Sequence, residues 1–275
     1  METLFRNSRI KLTQGLLFWR EVGTGIPPVI LLHGAWNDSG EWVSVMKSLA
    51  VDLHCFAPDL FGFGESENPD IHYSIDWQVE CLAEFFHALK LEKVYLVGHS
   101  LGGWIAASYA LKYSDKVEGL VLLAPEGVNI EGQDKRLQRM QRTVKRSPLV
   151  FKILRLLRPL TKILGLDTKI EEDWQMRPLL LEYPTACQLI FERQKPEIFA
   201  EFLQDRLYLL EIPVLVLQGG KDSPEALAMS KAYAQFPPKG SLKIIAHAGN
   251  DLPESCTGLI AEEIRDFILE LGVLS

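Results

Sequence analysis

The stretch Val94-Tyr95-Leu96-Val97-Gly98-His99-Ser100-Leu101-Gly102-Gly103 decides the reading of this chain. It opens on an apolar run of strand type and leads into Trp104 to Tyr113, a segment of helical character. Between them lies G-x-S-x-G, Gly98 to Gly102, the pattern of a nucleophile elbow. A serine at such a sharp strand-to-helix turn is forced into strained backbone angles, and only small residues two positions either side leave room for it. The turn holds the Ser100 hydroxyl above the sheet, where a substrate can reach it.

Working outward, short apolar runs recur at Val29–His33, Cys55–Pro58, Leu120–Ala124, Val214–Gln218 and Leu242–Ala246, with amphipathic segments of helix length between most of them. Nearly all-apolar strands alternating with helices imply a parallel sheet buried on both faces, with helices on both sides. Lys11–Val22, ending at Gly23-Thr24-Gly25, supplies an antiparallel hairpin at one edge. Helices are expected over Ser39–Ala50, Ser74–Leu89 with Ser74 as N-cap, Leu101–Tyr113, Glu225–Phe236 and Thr257–Leu271. From Glu126 to Leu210 the rhythm breaks: helix-like text runs without a strand for far longer than an ordinary connection. The expectation is an α/β core formed by residues 1–125 and 211–275, with 126–210 inserted as a helical cap.

Composition narrows the class. A chain of 275 residues, 47% hydrophobic and 24% charged, suits one large α/β domain with an insertion. The net charge of −7 argues against a general nucleic-acid binder, whose binding domain carries a basic excess. Cys55, Cys81, Cys187 and Cys256 have neither C-x-x-C nor metal-ligand spacing, which reads as free thiols in a reducing, cytosolic compartment. Met1 to Leu12 lacks the apolar core of a signal peptide, and no stretch has the roughly 18 uninterrupted apolar residues of a spanning helix. The expectation is a protein that is soluble or attached only to a surface.

Several motifs in one order carry a family resemblance. They are His33-Gly34-Ala35-Trp36 after the third strand, Asp59-Leu60-Phe61-Gly62-Phe63-Gly64-Glu65-Ser66 after the fourth, the elbow after the fifth, and Gln218-Gly219-Gly220-Lys221-Asp222 after the strand that follows the insertion. The chain resembles the α/β-hydrolase superfamily, in its serine-nucleophile branch with a helical cap. The resemblance implies a mostly parallel eight-stranded sheet with helices on both faces and a cap inserted after strand 6. It makes Ser100 the nucleophile and the amides of Ala35 and Leu101 the oxyanion hole, donors preorganised for the charge of acyl transfer. It places the triad acid at Asp222, in the order nucleophile, acid, histidine. The same aspartate would also suit a cap for the helix beginning at Ser223-Pro224, and Glu126 stands as a reserve acid. His33 and His99 are expected to be structural, and Gly62 and Gly64 to serve a turn.

The chain departs from the family at the histidine. The text after the last strand is Ala246-His247-Ala248-Gly249-Asn250-Asp251-Leu252-Pro253-Glu254, and if Gly249 is the family glycine, Asn250 holds the catalytic position. A carboxamide has no useful basicity with which to take the serine proton. In a rival register His247, three residues earlier, is the base. Two functions therefore stay open. One is a serine hydrolase, esterase-like or lipase-like, acting on an acyl ester of a fairly apolar small molecule. The other is an impaired relative that binds such a ligand without turnover. Serine at the elbow argues against the branches that need a carboxylate nucleophile. No motif implies a metal or cofactor.

Inside the insertion, Lys135, Arg136, Arg139, Arg142, Lys145, Arg146, Lys152, Arg155, Arg158 and Lys162 meet only Glu131 and Asp134. Leu149, Val150, Phe151, Ile153, Leu154, Leu156, Leu157, Leu160, Ile163 and Leu164 are interleaved with them, as in an interfacial amphipathic helix. Peripheral contact with an anionic membrane is one reading. A cap helix with solvated cations is the other.

Overall fold

The computed structural model describes residues 4–156, 162 and 167–274. The apolar runs form the centre of one eight-stranded sheet. Its strands are β1 (Arg6–Leu12), β2 (Gly15–Val22), β3 (Val29–Leu32), β4 (Cys55–Pro58), β5 (Val94–His99), β6 (Val117–Leu123), β7 (Val214–Gly219) and β8 (Gly240–Ile245), in the order β1-β2-β4-β3-β5-β6-β7-β8. β1 pairs antiparallel with β2 and β2 with β4, and every pairing from β4 onward is parallel. The hairpin thus begins at Arg6 rather than Lys11. β1 is an edge strand whose residues are mostly exposed, so it carries little of the apolar signal that marks the others.

Period-two alternation sends the two faces of β3 to different layers. Val29 and Leu31 join a core with Val45, Met46 and Leu49 of α1 (Val43–Leu49). Ile30 and Leu32 are equally buried on the opposite face, the side of α3 (Leu101–Lys112). α2 (Ile75–Ala88) packs beside α3, and Ser74 caps it as expected, its Oγ accepting from Trp77 N at 3.0 Å.

The chain divides into two compact units, Met1–Ile130 with Glu201–Ser275, and Glu131–Ala200. Residues 126–130 and 201–210, expected in the insertion, belong to the first unit. The Tyr233 hydroxyl donates to Glu126 O at 2.7 Å, Leu203 N to Gly127 O at 2.9 Å and Trp104 Nε1 to Glu201 O at 3.2 Å. Leu203, Leu207 and Leu210 are buried.

The second unit is helical among its described residues, with α4 (Gln133–Lys145), α5 (Pro148–Leu156), α6 (Asp167–Glu182), α7 (Pro184–Cys187) and α8 (Lys195–Glu201). Arg139 ties α4 to α6 through Glu172 and Asp173, at 2.8 and 2.6 Å. Of the basic and apolar residues named in the insertion, Leu157, Arg158, Leu160, Ile163 and Leu164 lie outside the described residues. In the first unit, α9 (Pro224–Gln235), α10 (Leu252–Ser255) and α11 (Thr257–Leu274) follow. Among the described residues no helix is long and apolar enough to cross a membrane.

Candidate active site

Ser100 stands between the end of β5 and the first residue of α3, with φ +51° and ψ −111°. Positive φ is costly for a residue with a Cβ, and it is held here by neighbours that leave no alternative. A Cβ on Gly98 would lie 2.4 Å from Gly102 O, and one on Gly102 would lie 2.3 Å from Leu32 O. The Ser100 amide donates to Leu123 O at 2.9 Å, while its carbonyl accepts from Glu126 N and Trp104 N. The turn is therefore locked by backbone on both sides, and Ser100 is half-buried at its apex.

Leu101 begins α3, so its N–H is one of the donors that a helix leaves without an internal partner. Ala35 follows Gly34 in the loop after β3. Among the described residues neither amide is engaged in a hydrogen bond. Gly34 N instead donates to Glu41 Oε2 at 2.8 Å.

That glutamate is the residue the sequence reading missed. Glu41 is 4% exposed and forms a buried ion pair through Oε1 with His99 Nδ1, while His99 Nε2 lies 2.9 Å from the carbonyl oxygen of Asn250. Carboxylate and carbonyl offer no hydrogen, so both ring nitrogens donate and the ring is an imidazolium. Burial works against both charges. The charge and hydrogen bond of Glu41, helped by the Asn250 carbonyl, nonetheless raise the His99 pKa above the ordinary histidine value. For Glu41, burial is likewise outweighed, by His99 and then by the Gly34 amide, and its pKa is lowered. The pair links the end of β5 to the segments that follow β3 and β8. A signal existed: a histidine beside the elbow serine, if buried and charged, requires an acid.

Asp222 follows β7. Its Oδ2 accepts from Gln218 Nε2 and from Asn250 Nδ2, each at 3.1 Å, and its Oδ1 from Ser223 N at 2.7 Å. Ser223, not Asp222, caps α9, its Oγ accepting from Ala226 N at 3.1 Å. The structure brings the side chains of Asp222 and Asn250 together. His247 is elsewhere: exposed in the turn after β8, its Nε2 lies 4.0 Å from Cys256 Sγ. Among the described residues it makes no bond to Ser100. The chain leaves the sheet at Ile245, and Ala248 turns inward in its place.

Glu126 uses its backbone on both sides, toward Ser100 O and the Tyr233 hydroxyl. His33 accepts from Leu60 N on Nε2 at 3.1 Å and donates from Nδ1 to Gly34 O at 2.8 Å, a supporting role for the loop. Gly62 and Gly64 both have positive φ, 85° and 51°. A Cβ on Gly64 would lie 2.1 Å from Asp59 Oδ2, the oxygen that accepts from Glu65 N. Among the described residues no three His, Cys, Asp or Glu side chains gather as a metal site.

Residues 27–254 match the family described as alpha/beta hydrolase fold. The chain is 40% identical over 104 residues to 1-acylglycerol-3-phosphate O-acyltransferase ABHD5 of Rattus norvegicus, a match covering 36% of this chain and 30% of that protein. It is 38% identical over 121 residues to 2-hydroxy-6-oxo-2,4-heptadienoate hydrolase of Pseudomonas putida, covering 42% of each. The matched part is thus under half the length of either relative. The fold is similar to that of a thermophilic esterase from Thermogutta terrifontis, at 24% identity and a TM-score of 0.71 over 97% of this chain and 99% of that one.

Proposed function

The chain belongs to the alpha/beta hydrolase fold family, and on that footing we propose that it binds an acyl ester of a fairly apolar small molecule at Ser100 without efficient turnover. One observation carries this reading: the side chain that donates to Asp222 is the carboxamide of Asn250. A serine hydrolase needs an imidazole there, to take the hydroxyl proton as the acyl-enzyme forms and return it to the leaving group. Asn250 holds the acid's hydrogen bond and has no basic nitrogen. His99 does not substitute, since Glu41 and the Asn250 carbonyl occupy both of its nitrogens. What remains is an elbow serine and two amides suited to an oxyanion. These bind a carbonyl, and they supply the small residual catalysis that persists when a triad member is lost.

A second reading, a competent serine esterase, draws support from the strained Ser100 backbone, a conformation that serves nucleophilic attack. The relatives' activities, an acyltransferase and a hydrolase, agree with acyl chemistry at this site in either case.

Fluorophosphonate labelling and p-nitrophenyl ester hydrolysis distinguish the two, measured on the native protein, Ser100→Ala and Asn250→His. Asn250→His is expected to raise both rates by about 10²–10⁴-fold, the range a general base contributes. A native turnover abolished by Ser100→Ala and left unchanged or lowered by Asn250→His would refute the proposal in favour of a competent esterase.

A further inference from the structure

An ordinary surface helix turns its polar side outward. α5 turns apolar side chains outward. Its packed side holds Phe151, fully buried with its ring 5.7 Å from that of Trp174; Arg155, its side chain 45% exposed, lies over Trp174 and pairs with Glu171 at 3.2 Å. Its solvent side holds Leu149, Val150, Ile153 and Leu156, exposed by 66%, 41%, 56% and 81%. At about 100° per residue these four fall within an arc of about 120° on the helix. They form one apolar stripe, distinct from scattered exposed leucines, which need no explanation.

Cations flank the stripe. Lys152 lies at its edge, and Lys145 ends the preceding helix three residues before α5. Both are exposed and, among the described residues, neither is in an ion pair, whereas Arg139, Arg146 and Arg155 are paired to α6. Residues 131–200 carry fourteen Lys and Arg against nine Asp and Glu, a balance of +5 in a chain of net −7.

We infer that the exposed face of α5 is an interfacial anchor for an anionic lipid surface. The apolar stripe enters the acyl boundary and Lys145 and Lys152 meet the headgroup phosphates. A second copy fits less well, because a twofold contact through this face would set its lysines against their own counterparts. The inference is independent of how Ser100 reacts.

Flotation of the full chain with phosphatidylcholine vesicles, with and without phosphatidylglycerol, tests it. Binding is expected only with the anionic lipid and is expected to weaken as salt rises. Lys145→Glu or Lys152→Glu should each lower the partition coefficient about fivefold or more. Ile153→Asp with Leu156→Asp should lower it more than about tenfold while circular dichroism is unchanged, since both positions are already in water. Three results would overturn the inference: no flotation, equal flotation on phosphatidylcholine alone, or a concentration-dependent dimer that Ile153→Asp disperses in a chain that ignores vesicles.

Discussion

Replacing Glu41 by alanine tests the buried ion pair beneath the elbow. The substitution leaves the Gly34 N–H without its acceptor and the His99 imidazolium without its counter-charge, in a site where Glu41 is 4% and His99 7% exposed. An orphaned buried amide costs about 1–3 kcal/mol, and breaking a buried pair by removing one partner costs about 3–5 kcal/mol in all. Glu41→Gln should cost less, about 1 kcal/mol. The amide oxygen can accept from Gly34, and the amide NH₂ can donate to a neutral His99 that keeps its bond to Asn250 O, so only the charge assistance is lost. The pH dependence follows from the two directions. His99, raised above 6.5, contributes stability that is complete below 6.5 and lost as pH rises through its folded value. Glu41, lowered below 4.5, contributes stability that is present above 4.5 and lost as pH falls through its folded value. Both contributions are therefore complete between 4.5 and 6.5, and Glu41→Gln should flatten the decline on the alkaline side, where His99 would otherwise lose its proton. Urea unfolding from below 4.5 to above 6.5 provides the measurement. A cost for Glu41→Ala under about 1 kcal/mol, or a Glu41→Gln variant with the native pH profile, would refute a buried charged pair.

Burial pushes the thiols of Cys55, Cys81 and Cys187 up to about 12. Iodoacetamide at mildly alkaline pH should therefore alkylate half-exposed Cys256 first, the other three reacting only in denaturant, as peptide mass spectrometry will report. Ser74→Ala removes the cap bond to Trp77 N and should cost about 1 kcal/mol, seen as a fall of about 2–4 °C in Tm.

The fold was legible because its central strands are buried on both faces, and such strands announce themselves as unbroken apolar runs. β8 was legible more weakly, with Leu242 and Ile245 carrying its pattern between exposed neighbours. β1 was half-missed because an edge strand can be polar. The residues flanking the insertion were misassigned for a different reason. What holds 126–130 and 201–210 to the first unit is hydrogen bonding by backbone groups, at Glu126 O, Gly127 O and Glu201 O, and backbone atoms leave no trace in side-chain patterns. In the candidate site, the sharp strand-to-helix turn at Ser100 was legible from local text. Glu41 was not, since one glutamate in an amphipathic segment looks like any solvated charge until the fold places it against His99.

Position 250 is held twice, and the two tethers differ in what they demand of the residue there. The side chain is held by Asp222, which needs only an N–H donor, and asparagine supplies one. The backbone is held by His99, whose Nε2–H reaches the Asn250 carbonyl whatever side chain follows. On the proposed function, asparagine in place of histidine keeps the loop's anchors and removes only the basic nitrogen, a change that is mild for the fold and severe for acyl transfer. It follows that a histidine introduced at 250 inherits an acid already in place and a backbone already fixed, which is why Asn250→His should gain activity without further redesign. The gain should also depend on Glu41, which keeps His99 charged and its Nε2–H directed at the loop. In Asn250→His with Glu41→Ala, fluorophosphonate labelling should fall about tenfold or more below that of Asn250→His alone, the penalty for loosening a positioned base. Labelling equal in the two variants would show that the Asp222 tether suffices and that the His99 bond contributes nothing to placing the base.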